Sequence, residues 1–221
     1  MTDRETPKSY RVELSLPAGR DEVWDAVTQP PVLRQWFGWD YDELDEEIQH
    51  IFVNEATLLS PERMGWADGS YVEVAGDDDG SVIRAVREGS TADPGRYDAI
   101  EEGWRAFLLQ LRFLLTERPE GARRTIYLTG AAHWPEVLGT LGGAVTRAGD
   151  RTAWLVDPDG HLVVLSGREP LTSRSAGRLE ITVSTFGLDD ASFGVVCKRW
   201  TERWAPLARN AQVTTADTPA P

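Results

Sequence analysis

Arg84 is the polar residue whose position most invites chemistry. It alternates with Val82 and Val86 and so can share their face of a strand, and a guanidinium inside a cavity would anchor a carboxylate or enolate. A register shift of one residue would turn Arg84 to solvent and bring Arg87 inward. The three histidines do not assemble a catalytic set. His50 alternates with Ile48 and Phe52 as a core or sheet-edge residue, His133 precedes Trp134-Pro135 at a helix start, and His161 leaves an Asp-Pro-Asp-Gly turn. There is no Gly-x-Ser-x-Gly elbow. Asp77, Asp78 and Asp79 lack the alternating ligands and distal Glu of a calcium loop and read as a hairpin turn between glycines. Arg118, Arg123 and Arg124 flank a Pro-Glu-Gly turn and read as a solvated helix end. The single cysteine, Cys197, reads as a small buried side chain without metal-ligand neighbours. These residues define no catalytic group, metal site or cofactor.

The elements that would position such groups begin with a half-buried strand, Arg11 to Leu16, closed by Pro17. A helix through Val23, Trp24 and Val27 follows until Pro30 and Pro31, then a short helix from Val32 to Phe37. Strands are expected at Ile48 to Val53, Thr57 to Leu59, Ser70 to Ala75 and Ser81 to Arg87. The clearest helix runs from about Tyr97 to Glu117, with Ile100, Trp104, Phe107, Leu108, Leu111, Leu114 and Leu115 at spacings of three and four. The order then begins again. A strand at Thr125 to Leu128 precedes a helix around Pro135 to Leu141, and strands follow at Thr152 to Val156, His161 to Leu165 and Arg178 to Val183. A final helix capped by Asp189 or Asp190 carries Phe193, Val196, Trp200 and Trp204. The tail from about Asn210, rich in Thr, Ala and Pro, reads as disordered.

The formal net charge of −13, from 36 acidic and 23 basic residues, repels phosphate backbones and anionic lipid, so neither nucleic acid nor a membrane surface is an expected partner. No apolar run approaches the roughly 20 residues of a bilayer span, and the first residues lack a signal-peptide core. With one cysteine, the expected location is cytoplasmic.

Four features in order carry a family resemblance: the opening strand into Pro17-Ala18, the Asp21-Glu22-Val23-Trp24 helix, Leu33 through Trp36-Phe37, and Glu102-Gly103-Trp104 opening the long helix. Together they resemble the Hsp90-ATPase-activator-like group of the SRPBCC (START-like) superfamily, over roughly residues 10 to 118. The resemblance implies an α+β, helix-grip (Bet v 1-like) fold, in which an antiparallel sheet wraps a long helix around a mostly apolar cavity. Family members usually carry a Gly-rich hairpin after the Trp-Phe helix. Here the acidic stretch Asp40 to Glu47 stands in its place, so a shortened sheet is expected.

The expected organisation is a shortened helix-grip domain at 8–120, a second α+β half at 121–209 that is a candidate degenerate repeat, and a disordered tail at 210–221. If a cavity exists, Trp36, Phe37 and Trp39 would stand near its mouth, Trp66, Tyr71 and Arg84 on the sheet, and Trp104, Phe107, Leu108 and Leu111 on the helix. The leading expectation is a non-catalytic protein binding a small hydrophobic molecule, as a monomer or homodimer. Two alternatives stand beside it: an enzyme of the polyketide cyclase or hydrolase kind, tested by whether any two of Arg84, Tyr71, His50 and Tyr97 share a cavity, and a co-chaperone-like module binding a protein partner.

Overall fold

The computed structural model describes residues 7–90, 93, 95–141 and 143–217; residues 1–6 and 218–221, on which the signal-peptide and tail expectations partly fall, lie outside that range. The chain opens with strand β1 (Tyr10–Leu16), whose alternate residues Tyr10, Val12 and Leu16 are buried. Helix α1 (Arg20–Thr28) buries Val23, Ala26 and Val27 and stops before Pro30-Pro31, which open the single-turn helix α2 (Pro30–Leu33). Helix α3 (Leu44–Ile48) runs on into a π-helical segment, Gln49–Asn54. Strands β2 (Thr57–Ser60), β3 (Arg63–Gly65), β4 (Tyr71–Gly76) and β5 (Ser81–Arg87) then form a meander. Together with β1 they make an antiparallel sheet ordered β1-β5-β4-β3-β2.

The long helix α4 (Ala99–Glu117) is capped by Asp98, whose side chain accepts from the amides of Ile100 and Glu101. It ends where Arg118 enters the left-handed region. After it come β6 (Arg123–Ala132), α5 (Trp134–Thr140), β7 (Thr146–Arg147), β8 (Thr152–Val156), β9 (Leu162–Gly167), β10 (Gly177–Phe186), α6 (Asp190–Trp204) and β11 (Arg209–Thr214). The second sheet is ordered β11-β6-β10-β9-β8-β7. Apart from β11, this is the order of the first: the opening strand pairs with the last of four meandering strands, and a long helix follows.

Two sheets and α4 build the layers. Leu108, Leu111 and Leu115 of α4 enter the core of the first half, while Leu109 and Phe113 pack on Leu162 and Val164 of the second sheet. The opposite face of that sheet carries a third core, in which Trp134 and Val137 of α5 meet Phe193, Val196, Trp200 and Trp204 of α6. A sheet covered on both faces needs apolar residues at consecutive positions, and Leu162 to Leu165 are all buried. The fold is thus α+β, with an antiparallel sheet gripping a long helix and a second α+β half against that helix's other side.

Three sequence expectations change. The stretch Ile48 to Val53 is helical rather than extended: Leu44, Ile48 and Phe52 are buried at intervals of four, and an apolar spacing of four satisfies both periods. The segment from Asn210 is not a disordered tail through Thr214, because β11 adds to the edge of β6, with Thr214 and Thr215 buried. Arg123 is not part of a solvated helix end; it is buried at the junction of the halves.

Candidate functional site

A cavity of about 1010 Å³ lies between the first half and the second sheet. Its first wall is aromatic and comes from four separate segments. Phe37 follows α2, Phe52 stands on the π-helical segment, Trp66 leaves β3, and Trp104 and Phe107 lie one turn apart on α4. These five rings touch in a closed cycle. Phe37 meets Phe52 at a centroid separation of 4.9 Å, Phe52 meets Trp66 at 6.0 Å and Trp66 meets Trp104 at 6.1 Å. Trp104 meets Phe107 at 6.5 Å, and Phe107 returns to Phe37 at 4.8 Å. Most of these pairs are edge-to-face or tilted, the arrangements aromatic quadrupoles favour. Trp66 is held in place by donating Nε1–H to the Ile51 carbonyl at 2.8 Å.

The opposite wall is the face of the second sheet that turns toward α4. Along β10, Leu179, Ile181 and Val183 turn into the core, and Arg178, Glu180 and Thr182 turn to the cavity. Ser166 and Tyr127 stand beside them on β9 and β6. Tyr127 stacks on Trp39 with ring centroids 4.0 Å apart and planes within 5°, joining the two walls.

The loop carrying Phe37 and Trp39 is held by a buried polar junction. Arg123 donates to the carbonyls of Phe37 at 3.0 Å and Gly38 at 2.8 Å, and also to Gln110 of α4 and Ser184 of β10. Burial pushes its guanidinium down to about 9, which keeps it charged at neutral pH. Buried Asp40 accepts from the Thr125 amide at 2.9 Å and pairs with Arg34, while its own amide donates to the Thr125 hydroxyl at 2.5 Å.

Five carboxylates line the cavity, Glu47, Glu55, Asp68, Glu102 and Glu180, against two guanidiniums, Arg168 and Arg178. Arg178 is bonded to Glu180 at 3.1 Å, and Arg168 lies over the Tyr97 ring. Glu102 accepts from the Thr152 hydroxyl at 2.7 Å, with Arg105 at 3.5 Å. Burial pushes the Tyr10 phenol up to about 12, and burial with neighbouring carboxylates raises Tyr41, Tyr97 and Tyr127 as well. At neutral pH these phenols are therefore uncharged donors.

Of the ten residues expected at a ligand site, Phe37, Trp39, Trp66, Trp104 and Phe107 line this cavity. Trp36, Leu108 and Leu111 do not; they are fully buried in the first core, where Trp36 donates to the Ala26 carbonyl. Tyr71 and Arg84 lie on the outer face of the first sheet. The pairing of Arg84 opposite both Glu13 and Glu73 turns Ile83, Ala85 and Arg87 inward and leaves Arg84 in ion pairs with those two glutamates. Tyr71 there lies under the Arg63 guanidinium. Of the four residues named for the enzyme alternative, His50 and Tyr97 line the cavity, whereas Tyr71 and Arg84 are outside it. Sequence reasoning missed Tyr10, Phe52 and the whole second wall. The helical spacing of Leu44, Ile48 and Phe52 could have found Phe52. Arg178, Glu180 and Thr182 alternate as a solvent face would, so no local signal distinguishes them.

No family model and no curated protein matches the chain. Among solved structures it is similar to DynU16, a protein of the dynemicin biosynthetic locus, with 20% identity and a TM-score of 0.35 over 90% of this chain and 95% of that one. It is also similar to the di-domain ARO/CYC BexL from the BE-7585A biosynthetic pathway, with 12% identity and a TM-score of 0.33 over 90% and 94%. At these scores neither likeness carries an argument about function.

Proposed function

We propose that the protein binds a small, predominantly hydrophobic molecule in the cavity between its halves. The observation that carries this reading is the closed cycle of five aromatic side chains facing a space of about 1010 Å³, ample for a small molecule. Phe37 and Phe52 are buried in the first core while Trp66, Trp104 and Phe107 are only partly buried against it, and a ligand in the space would cover the apolar surface they leave open. The kinship that the Trp24, Trp36-Phe37 and Trp104 features suggest, with the Hsp90-ATPase-activator-like group, is part of the same reading. The test is a titration of the purified protein with neutral 1-pyrenemethanol, followed by quenching of tryptophan fluorescence. Saturable binding is expected, weakened at least about tenfold by Phe107→Ala, which removes one link of the ring cycle. A linear, unsaturable response to every lipophile tried, neutral or charged, overturns the proposal.

A second reading, an enzyme of the cyclase or hydrolase kind, is favoured by one observation: His50, Tyr97 and Glu102 all line the same cavity. In that reading the neutral Tyr97 phenol is a hydrogen-bond donor and a carboxylate or imidazole the proton acceptor. Conversion of a bound ligand in the wild type, lost on Tyr97→Phe with binding retained, distinguishes it from binding alone.

A further inference from the structure

Cavity charge and aromatic faces act on a ligand in the same direction. A ring presents negative potential on its face and positive potential at its edge, so those rings of the cup that turn a face to the space attract a cation there. Carboxylates outnumber guanidiniums five to two around this cavity, and both guanidiniums already face partners. Three of the acids, Glu47, Glu55 and Asp68, have no ion-pair partner among the described residues. Glu47 accepts only from the Tyr41 hydroxyl and Asp68 from Ser70, neither of which cancels charge. Glu55 is exposed at the end of the π-helical segment that carries Phe52, so an unpaired carboxylate and an aromatic face belong to one short element. Asp68 similarly follows Trp66 by two residues. The cations behind this region, Lys8, Arg87 and Arg105, are engaged with Glu101, Asp98 and Glu102, although Arg87 lies over the Tyr10 ring of the cavity wall and its charge also acts on Asp68. The whole chain, at −13, adds a field of the same sign.

We infer that the ligand is a cation: an aromatic or apolar body bearing an amine or quaternary ammonium group, the body held by the five-ring cup and the charge by the rim carboxylates. This rests on the binding function proposed above and adds the ligand's charge to it. A neutral lipophile would use the cup alone, and a carboxylate of the same shape would meet the rim unfavourably.

Three probes that share one fused-ring body separate the two ideas: 1-pyrenemethylamine, neutral 1-pyrenemethanol and 1-pyrenecarboxylate, each titrated at low and at high salt. The amine is expected to bind about tenfold tighter than the alcohol, and the carboxylate more weakly than either. The amine's advantage should shrink as salt screens the rim. In the double variant Glu55→Gln/Asp68→Asn the gap between amine and alcohol should narrow, and a thermal melt establishes that this variant is folded. Equal affinities for amine and alcohol, or a preference for the carboxylate, overturn the inference and leave the binding function standing. If no probe binds saturably, the binding function fails and the inference with it.

Discussion

The phenol of Tyr10 sits where the first strand meets the cavity, 5% exposed, beside the Arg87 guanidinium. Burial, helped by Asp68 and Asp98, raises it from 10.0 to about 12, with Arg87 opposing. The unfolded chain therefore loses this proton at lower pH than the folded one. The stability it contributes is fully present below pH 10 and is lost as pH rises toward 12, a change of roughly 3 kcal/mol. The expected outcome is a urea midpoint that falls over that interval, less steeply in Tyr10→Phe. The slope should not vanish, because Tyr41, Tyr97 and Tyr127 are raised too. At this scale the large aromatic residues were read in part, with Trp36 and Tyr71 misplaced and Tyr10 and Phe52 missed, and the cations were misread. Trp66, Trp104 and Phe107 are apolar enough to be placed inside from their type. Arg123 and Arg84 were exchanged, the first read as solvated and the second as a candidate inward group. A buried guanidinium needs acceptors, and those of Arg123 are carbonyls of Phe37 and Gly38, some 85 residues away in sequence.

Among the elements, α4 shows how much one capping residue carries. Asp98 accepts the first free amides of the helix and also pairs with the buried Arg87. Asp189 caps α6 by accepting from the Ser192 amide at an exposed site. Asp189→Ala should therefore cost about 1 kcal/mol, the ordinary value of a cap. Asp98→Ala should cost more, about 3 kcal/mol, because it also leaves a buried guanidinium without its carboxylate, held by the Lys8 carbonyl and the Tyr10 ring alone among the described residues. Urea unfolding of the two variants side by side checks the difference; equal losses would show that the Arg87 pair adds nothing. Helices α1, α4 and α6 were legible because each keeps a helical period beside clear start or stop residues. The segment Gln49–Asn54 was not, since its six residues are too few to separate a strand from a helix. β11 was not either: its partner, β6, supplies the hydrogen bonds that its composition does not advertise.

For the whole molecule, the second half acts as the other wall of the site. It also covers one side of α4, taking up Leu109 and Phe113, whose burial contributes about 1.5–3 kcal/mol each. A fragment ending at Glu120 would expose both side chains and lose Arg123, with its bonds to the loop that carries Phe37 and Trp39. We expect such a fragment to lack a cooperative urea transition by tryptophan fluorescence where the full chain has one. A fragment unfolding at the full chain's midpoint would show that the halves are independent units. In both halves the space between helix and sheet is filled, by Trp36, Leu108 and Leu111 in the first and by Trp134, Trp200 and Trp204 in the second, and the cavity opens between the halves.

The resemblance to a helix-grip family supplied the expectation that Phe37, Trp39, Trp66, Trp104 and Phe107 stand at a cavity. Local pattern was enough to determine the order of strands and helices outside 48–53 and β11, and the amphipathic face of α4. These follow from period, capping and apolar type, each readable within a few residues. Only the tertiary structure decided which face of β5 turns inward, that Arg123 is buried, and that the cavity has a second wall bearing Tyr127, Glu180 and Thr182. The physical reason is common to all three. A strand presents its two faces by the same alternation whichever one is covered, and what covers a face comes from elements remote in sequence.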